Sequence, residues 1–579
     1  MPNSMKRTFL FFLLITVILA WVYSQSIHFQ FTHLDDYEQV VENKTIQSID
    51  FAHLNAIFSS TSVGMYQPLT TWIYAIVYSI FQLNPLGYHL ASLLFHLLNT
   101  VLVYLLLKEF KIEQFLNYFL VSLFAFHPLQ VESVVWISAF SNLVFTSFFL
   151  TALLSYFKYQ KTHKKQFYFL SLLLFTLSCF SKSSAVVFPI LILAIDFIQS
   201  KGFNFKNILN KVPFFFVSLI FGIITLYSRE NAGHLSDLSV QFSFFDRIFL
   251  SAYSLLFYPF KFLVPFELSA FYPYPGLSDG FLPFQFYLSF PVLILLAYLI
   301  WKKGNVLLYT GVLFYIISIL LVIQLIPVGN QLTTDRYSYL PLIGLLLILA
   351  SFLQDAFKRK KALYFLFAIP LFLSFLSHKR TAVWENDQSI WQDVLSKHPK
   401  VAQAHNNLGS ALLEEGAINR ALTHFNQAIA LKPYYADAYV NRGSLLAMKG
   451  ESAKAIENYS KAIELKPHAN AYFNRANEFT KIKDFQKALL DYSESIRIEP
   501  SADAFTNRAY LYVQEKDFAN AHQDLEKAMR IDENYDQAYF VLGIVLHQER
   551  KIQAACQAFK KAVNLGNENA KMAVNQFCK

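Results

Sequence analysis

Apolar residues run in long blocks through the first two-thirds of the chain, then give way to a shorter, regular rhythm. After Lys6 and Arg7, residues 8–23 are apolar. Further apolar segments cover roughly 86–107, 115–127, 134–157, 167–180, 185–199, 212–227, 284–301, 306–327, 338–354 and 362–376. Such blocks predict membrane-crossing helices, since about 20 residues cross a bilayer. Several are shorter and read as helices with polar-looking ends or as half-helices held by neighbours. No clear small-x-small cleavage site follows Trp21, so the first block reads as a retained span and not a signal peptide. With 69–83 and 247–262 lying on or in the outer face, the pattern gives about eleven spans.

Past residue 400 the period changes. Pro399, Pro433, Pro467 and Pro500 are spaced 34, 34 and 33 residues apart. Ala421, Ala455, Ala488, Ala521 and Ala555 recur at 34, 33, 33 and 34. Four residues after each stands a large side chain (Phe425, Tyr459, Tyr492, Leu525, Phe559), and three further on a small one (Ala428, Ala462, Ser495, Ala528, Ala562). Gly409, Gly443 and Gly543 mark first helices. This is the tetratricopeptide pattern, a helix–turn–helix of about 34 residues. Small positions let paired helices approach, and large ones fill the groove. Five units over 402–570 form a solenoid whose concave face suits an extended peptide or a partner helix. The expected fold is all-α: a polytopic membrane helix body over 1–381, a connecting helix over 382–401, the repeats over 402–570, and a cap over 571–579.

Composition supports that division. Hydrophobic residues make up 55% and charged residues 15%, with mean hydropathy +0.34. Soluble proteins carry about 25% charge, so neither a purely soluble chain nor a disordered one fits. Residues 1–381 hold 25 Lys and Arg against 16 Asp and Glu, and the remainder holds 24 against 24. The basic excess lies in short linkers at 6–7, 108–111, 158–165, 201–211, 302–303 and 358–361. The positive-inside rule puts these on the cytoplasmic face. Lys379 and Arg380 then fall on the outer side, against the rule. No clustered basic face of a nucleic-acid binder is present. Cys179, Cys556 and Cys578 include no CxxC pair, so no disulfide framework and no redox compartment is read from them.

With the N-terminus inside and the repeats outside, the outer face holds 24–68, 127–132, 228–283 and 328–337. These are the polar, motif-like stretches. In Thr32-His33-Leu34-Asp35-Asp36-Tyr37-Glu38, two adjacent carboxylates follow a span. A solvated acidic loop explains them as well as a general base or metal ligand does. A partly desolvated carboxylate at the boundary can accept a hydroxyl proton. Glu132, after His127-Pro128, reads as a second acid or as a helix N-terminal acid. Lys182, between two short spans, is a functional cation or one that snorkels. Arg336, in Asp335-Arg336-Tyr337, suits a phosphate or carboxylate, or pairs with Asp335. His89, His96 and Asn99 share one helix face. They read as packed polar groups, because no closed zinc ligand set is visible.

Taken in order, these motifs resemble one family. Asp35-Asp36, Tyr66-Gln67-Pro68-Leu69-Thr70, Gly87-Tyr88-His89, Phe126-His127-Pro128, Glu132-Ser133-Val134, Ser181-Lys182, Asp335-Arg336-Tyr337 and the repeats are similar to the transmembrane and tetratricopeptide-repeat-containing O-mannosyltransferases and their bacterial relatives. The resemblance implies a C-type glycosyltransferase fold, a catalytic acid in the first outer loop, and a polyprenyl-phosphate sugar donor. It implies transfer of mannose to Ser or Thr of a polypeptide held by the repeats. Asp35 or Asp36 would be the base. Glu132, Lys182, Arg336, Tyr337, His127 and His89 would contact substrate. A divalent metal is left open, with no ligands assigned. The chain departs from the family at Gln67, where Arg is usual, and at Ser183, where Glu is usual. It departs again at 138–143, where Gly-Arg-x-Asp-Leu is usual. Two other classes stay open: a membrane-anchored repeat scaffold without catalysis, and a polymerase or flippase of lipid-linked glycans. A bacterial inner membrane is favoured over endoplasmic reticulum.

Overall fold

The computed structural model describes residues 3–200, 208–231, 242–325, 329–359 and 365–578. Parts of the expected linkers and outer segments (201–207, 232–241, 326–328, 360–364) and Lys579 of the expected cap lie outside the described residues. The structure is 80% helical. Among the described residues, a two-stranded antiparallel pairing joins Tyr272–Pro273 to Gln331–Thr333. The chain forms two compact units, Met1–Pro399 and Lys400–Lys579.

In the first unit every expected apolar segment carries a helix. Among the described residues, five are long and apolar enough to cross a membrane: Met5–Val22, Pro85–Glu109, Ile137–Thr162, Val212–Glu230 and Phe284–Lys303. Gln114–Phe126 and Pro128–Val135 make a sixth, bent by 48°. The apolar helices Pro68–Phe81, Lys165–Ser181, Ser183–Ile198, Val306–Val322 and Pro341–Phe357 are shorter. Helix Ile137–Thr162 is packed on all sides, with Leu143, Phe149, Leu150 and Leu153 fully buried. Helices Met5–Val22 and Phe284–Lys303 instead expose Phe9, Leu10, Ile294 and Trp301. Apolar side chains on the outside are expected where the surrounding solvent is lipid. Helix Phe244–Leu263, the expected surface helix, buries one face through Leu250, Ser254, Phe257 and Tyr258.

Two glycines bring backbones together. A Cβ on Gly311 would lie 2.7 Å from the Ile348 nitrogen, and one on Gly344 would lie 2.5 Å from the Tyr315 nitrogen. Val306–Ile319 and Pro341–Arg359 therefore meet main chain to main chain, a contact only small residues permit in membranes. The expected connecting segment forms helix Asp387–Lys397 and is built into the first unit. There Asp387 accepts the His33 backbone N–H at 3.0 Å, and Arg380 donates to Asp393 at 2.7 Å.

The second unit is five helix pairs: Ala402–Glu414 with Ile418–Leu431, Ala436–Met448 with Ser452–Leu465, Ala469–Lys481 with Phe485–Ile498, Ala502–Gln514 with Phe518–Ile531, and Asp536–Gln548 with Ile552–Asn564. Helix Glu568–Phe577 follows. The pattern's small residues Ala421, Ala455, Ala488, Ala521 and Ala555 are fully buried. At Gly443 an added Cβ would sit 2.7 Å from the Tyr459 ring, so glycine there is what lets the large residue in. One expectation is corrected. Cys556 and Cys578 form a disulfide, 22 residues apart in sequence, tying the fifth repeat to the last helix. No CxxC spacing announces it, because the solenoid's turn and not sequence proximity brings the two thiols together.

Candidate functional site

Three breaks in helical regularity converge on one cavity in the first unit. The first is the loop after the first apolar helix, where a single turn, Tyr37–Val41, follows Asp35 and Asp36. Asp36 is 1% exposed, and its carboxylate is fully used. Oδ2 accepts from the Thr32 N–H and hydroxyl, both at 2.9 Å. Oδ1 accepts from the Ser138 N–H at 2.8 Å and hydroxyl at 2.5 Å. Asp36 thus ties the loop to the start of the central helix. Its neighbour Asp35 lines the cavity instead. Burial there pushes the Asp35 carboxyl up to about 6, with Arg336 opposing and Asp36 and Glu38 adding to the shift.

The second break is Lys182. Helix Lys165–Ser181 stops at this residue, which is extended at φ −162°, ψ 132°. The next turn, Ser183–Val187, starts afresh. The ammonium reaches the cavity and donates to Asn142 Oδ1 at 2.6 Å. Burial first, then Arg336, lowers it to about 7.

The third is the turn Asp335–Ser338, entered from the short strand pair. Tyr272 donates to Asp335 at 2.8 Å, and burial raises that carboxyl to about 7. Arg336 is held by Glu132, whose Oε2 accepts its backbone N–H at 2.9 Å and whose Oε1 accepts its guanidinium at 2.5 Å. The guanidinium also lies over the rings of Trp136 at 4.8 Å and Tyr337 at 5.2 Å. Glu132 reaches this point because the chain bends at His127-Pro128. Proline lacks the N–H to continue a helix, and the His127 ring accepts the Leu129 N–H at 3.2 Å to start the next turn.

Asp35, Lys182, Arg336 and Tyr337 therefore line one cavity of about 90 Å³, with Glu132 bonded to its arginine. His127 and His89 are not among its lining residues. The other His127 nitrogen bonds the Phe262 carbonyl at 3.0 Å, and His89 packs edge-on against Phe29. His96 bonds the Tyr339 hydroxyl at 2.7 Å, so the helix-face reading as packed polar groups describes it. Among the described residues no three His, Cys, Asp or Glu converge as metal ligands.

Gln67, Ser138, Asn142 and Ser183, where the sequence departs from the pattern it otherwise resembles, all line this same cavity. Sequence reasoning missed Arg229 and Trp136 among the lining residues, along with Gln39, Met65 and Val322. Arg229 ends an apolar helix, where a cation reads as an interfacial anchor. Trp136 is one apolar residue among many.

Comparisons with known proteins agree with the motif order. Residues 66–227 match the family described as dolichyl-phosphate-mannose-protein mannosyltransferase. Residues 409–450, 436–468, 502–535 and 536–569 match tetratricopeptide repeat families. Protein O-mannosyl-transferase F38B6.6 of Caenorhabditis elegans is 26% identical over 433 residues, covering 69% of this chain and 59% of that protein. Mouse protein O-mannosyl-transferase TMTC3 is 28% identical over 155 residues, covering 25% of this chain and 16% of that protein. The chain thus spans 59% of the nematode relative's length and less of the mouse one. Among solved structures, the tetratricopeptide protein YrrB aligns at 15% identity with TM-score 0.28, covering 32% of this chain and 97% of that one. MamA aligns at 22% with TM-score 0.26, covering 28% and 97%. The resemblance read from the motifs, a mannosyltransferase-type body followed by tetratricopeptide repeats, is borne out.

Proposed function

We propose that this chain is an inverting membrane glycosyltransferase that moves mannose from a polyprenyl-phosphate carrier to Ser or Thr of a polypeptide on the non-cytoplasmic face. One observation carries the reading: a half-buried carboxylate with a raised pKa, Asp35, shares a cavity with the cations Lys182, Arg229 and Arg336.

The acceptor oxygen attacks the anomeric carbon while its proton passes to Asp35. The bond from that carbon to the phosphate oxygen breaks on the opposite side, and the phosphate leaves on its lipid. A base titrating near the working pH suits the first transfer. Arg336 and Lys182 offset the charge that grows on the leaving phosphate, in a site where water screens it little. Glu132 keeps Arg336 oriented and Asp36 holds the loop that carries Asp35. Neither needs to touch substrate. The repeats hold the acceptor polypeptide. The Cys556–Cys578 disulfide supports an oxidising compartment for them.

The test is transfer by purified full-length protein from polyprenyl-phosphate mannose to a Ser/Thr-rich peptide, read by product mass. Asp35→Asn is expected to lower turnover by about 100-fold or more with an unchanged melting temperature. Asp36→Asn puts an NH2 against the two donors that one carboxylate oxygen accepted from. It is expected to cost roughly 2–4 kcal/mol of stability through lost charge-assisted hydrogen bonds. Full activity of Asp35→Asn would remove the base from the mechanism.

A further inference from the structure

Gln67 lies between two cavities. It lines the one that holds Asp35, and it lines a second, of about 390 Å³, walled by Glu38, Glu42, Thr61, Ser62 and Thr71. The side chain is 3% exposed, and its Nε2 donates to Gln39 Oε1 at 3.3 Å. Gln67 Oε1 and Gln39 Nε2 then have no hydrogen-bond partner among the described residues. One is an acceptor and the other a donor, both buried where unmet hydrogen bonds are costly. A group with one donor and one acceptor, such as a peptide unit or a hydroxyl, complements the pair.

Charge separates the two cavities. The first sets Lys182, Arg229 and Arg336 against Asp35, so a phosphate belongs there. The second sets Glu38 and Glu42 against Lys44, and is net acidic. We propose that the second cavity is the acceptor subsite, occupied by a polypeptide segment with Lys or Arg next to its reactive Ser or Thr. The Gln39–Gln67 pair takes a peptide unit of that segment at the junction. This inference rests on the transferase reading above and adds where the acceptor enters and which sequence it favours.

The experiment uses full-length protein in lipid nanodiscs and two peptides carrying a photoreactive benzoylphenylalanine beside one Ser. Lys flanks the Ser in one and Glu in the other. After illumination, labelled protein is mapped by mass spectrometry. Expected is labelling within residues 57–71, at least five-fold stronger with the Lys peptide, and near-equal labelling in Glu38→Gln/Glu42→Gln. Should that double variant fail to fold, Thr61→Trp, at an exposed rim position, is expected to cut labelling by the Lys peptide. Labelling confined beyond residue 400, equal wild-type labelling by both peptides, or an unaltered preference in the folded variant would overturn the subsite. Labelling needs no sugar transfer. A protein labelled at 57–71 that transfers from no donor would sink the transferase reading, and with it the acceptor role, and leave only a peptide-binding cavity.

Discussion

At the level of single residues, adjacent acids do different work. Asp35 and Asp36 are indistinguishable in sequence. Only the fold shows that Ser138 and Thr32 consume both oxygens of Asp36 and leave Asp35 to the cavity. Lys182 and Arg336 were legible as candidates because a charge beside an apolar block is costly without a use. Arg229 was not, because a helix-end cation has an ordinary explanation. The pH response follows from the two shifted groups. Asp35 acts ionised, so kcat/KM rises as pH climbs through about 6. Lys182 acts protonated, so kcat/KM falls as pH climbs through about 7. A narrow bell between those limbs is expected, and Lys182→Arg is expected to move the alkaline limb upward by more than one pH unit, since guanidinium stays charged. A profile flat from pH 5 to 8 would contradict both assignments.

Among elements, periodicity gave the helices and their pairing, since burial every third or fourth residue is written directly in the repeats. The 34-residue spacing located the five helix pairs. It could not locate the disulfide, which depends on how the last helix folds back. Closing a loop of this length restricts the unfolded chain by about 3 kcal/mol. Cys556→Ser is therefore expected to lower the melting temperature of the repeat unit, and reductant to lower the wild type by the same amount. Equal melting of wild type and variant in oxidising buffer would show that the bridge contributes nothing. Helix breaks were harder to read. The stop at Lys182 carries no Pro or Gly, and only the His127-Pro128 bend has a sequence signal.

Across the whole molecule, the hydropathy blocks correctly divided an apolar body from a repeat unit. Among the described residues five blocks form helices long enough to span by themselves, and others form the shorter apolar helices their length predicts. The proposed chemistry requires the first outer loop and the repeats to share one side of the membrane. Tags placed near residue 48 and near residue 500 are expected to react with the same impermeant reagent in sealed vesicles. Reaction from opposite sides would break the link between acceptor holder and base.

The glycine seam between Val306–Ile319 and Pro341–Arg359 sets how firmly one wall of the cavity is held. With main chains already touching at Gly311 and Gly344, the second helix has no slack to slide, and Arg336 stands only five residues upstream of its first turn. In the proposed mechanism the leaving phosphate therefore meets a wall fixed by that seam, while the base comes from a strip anchored through Asp36 to Thr32 and Ser138.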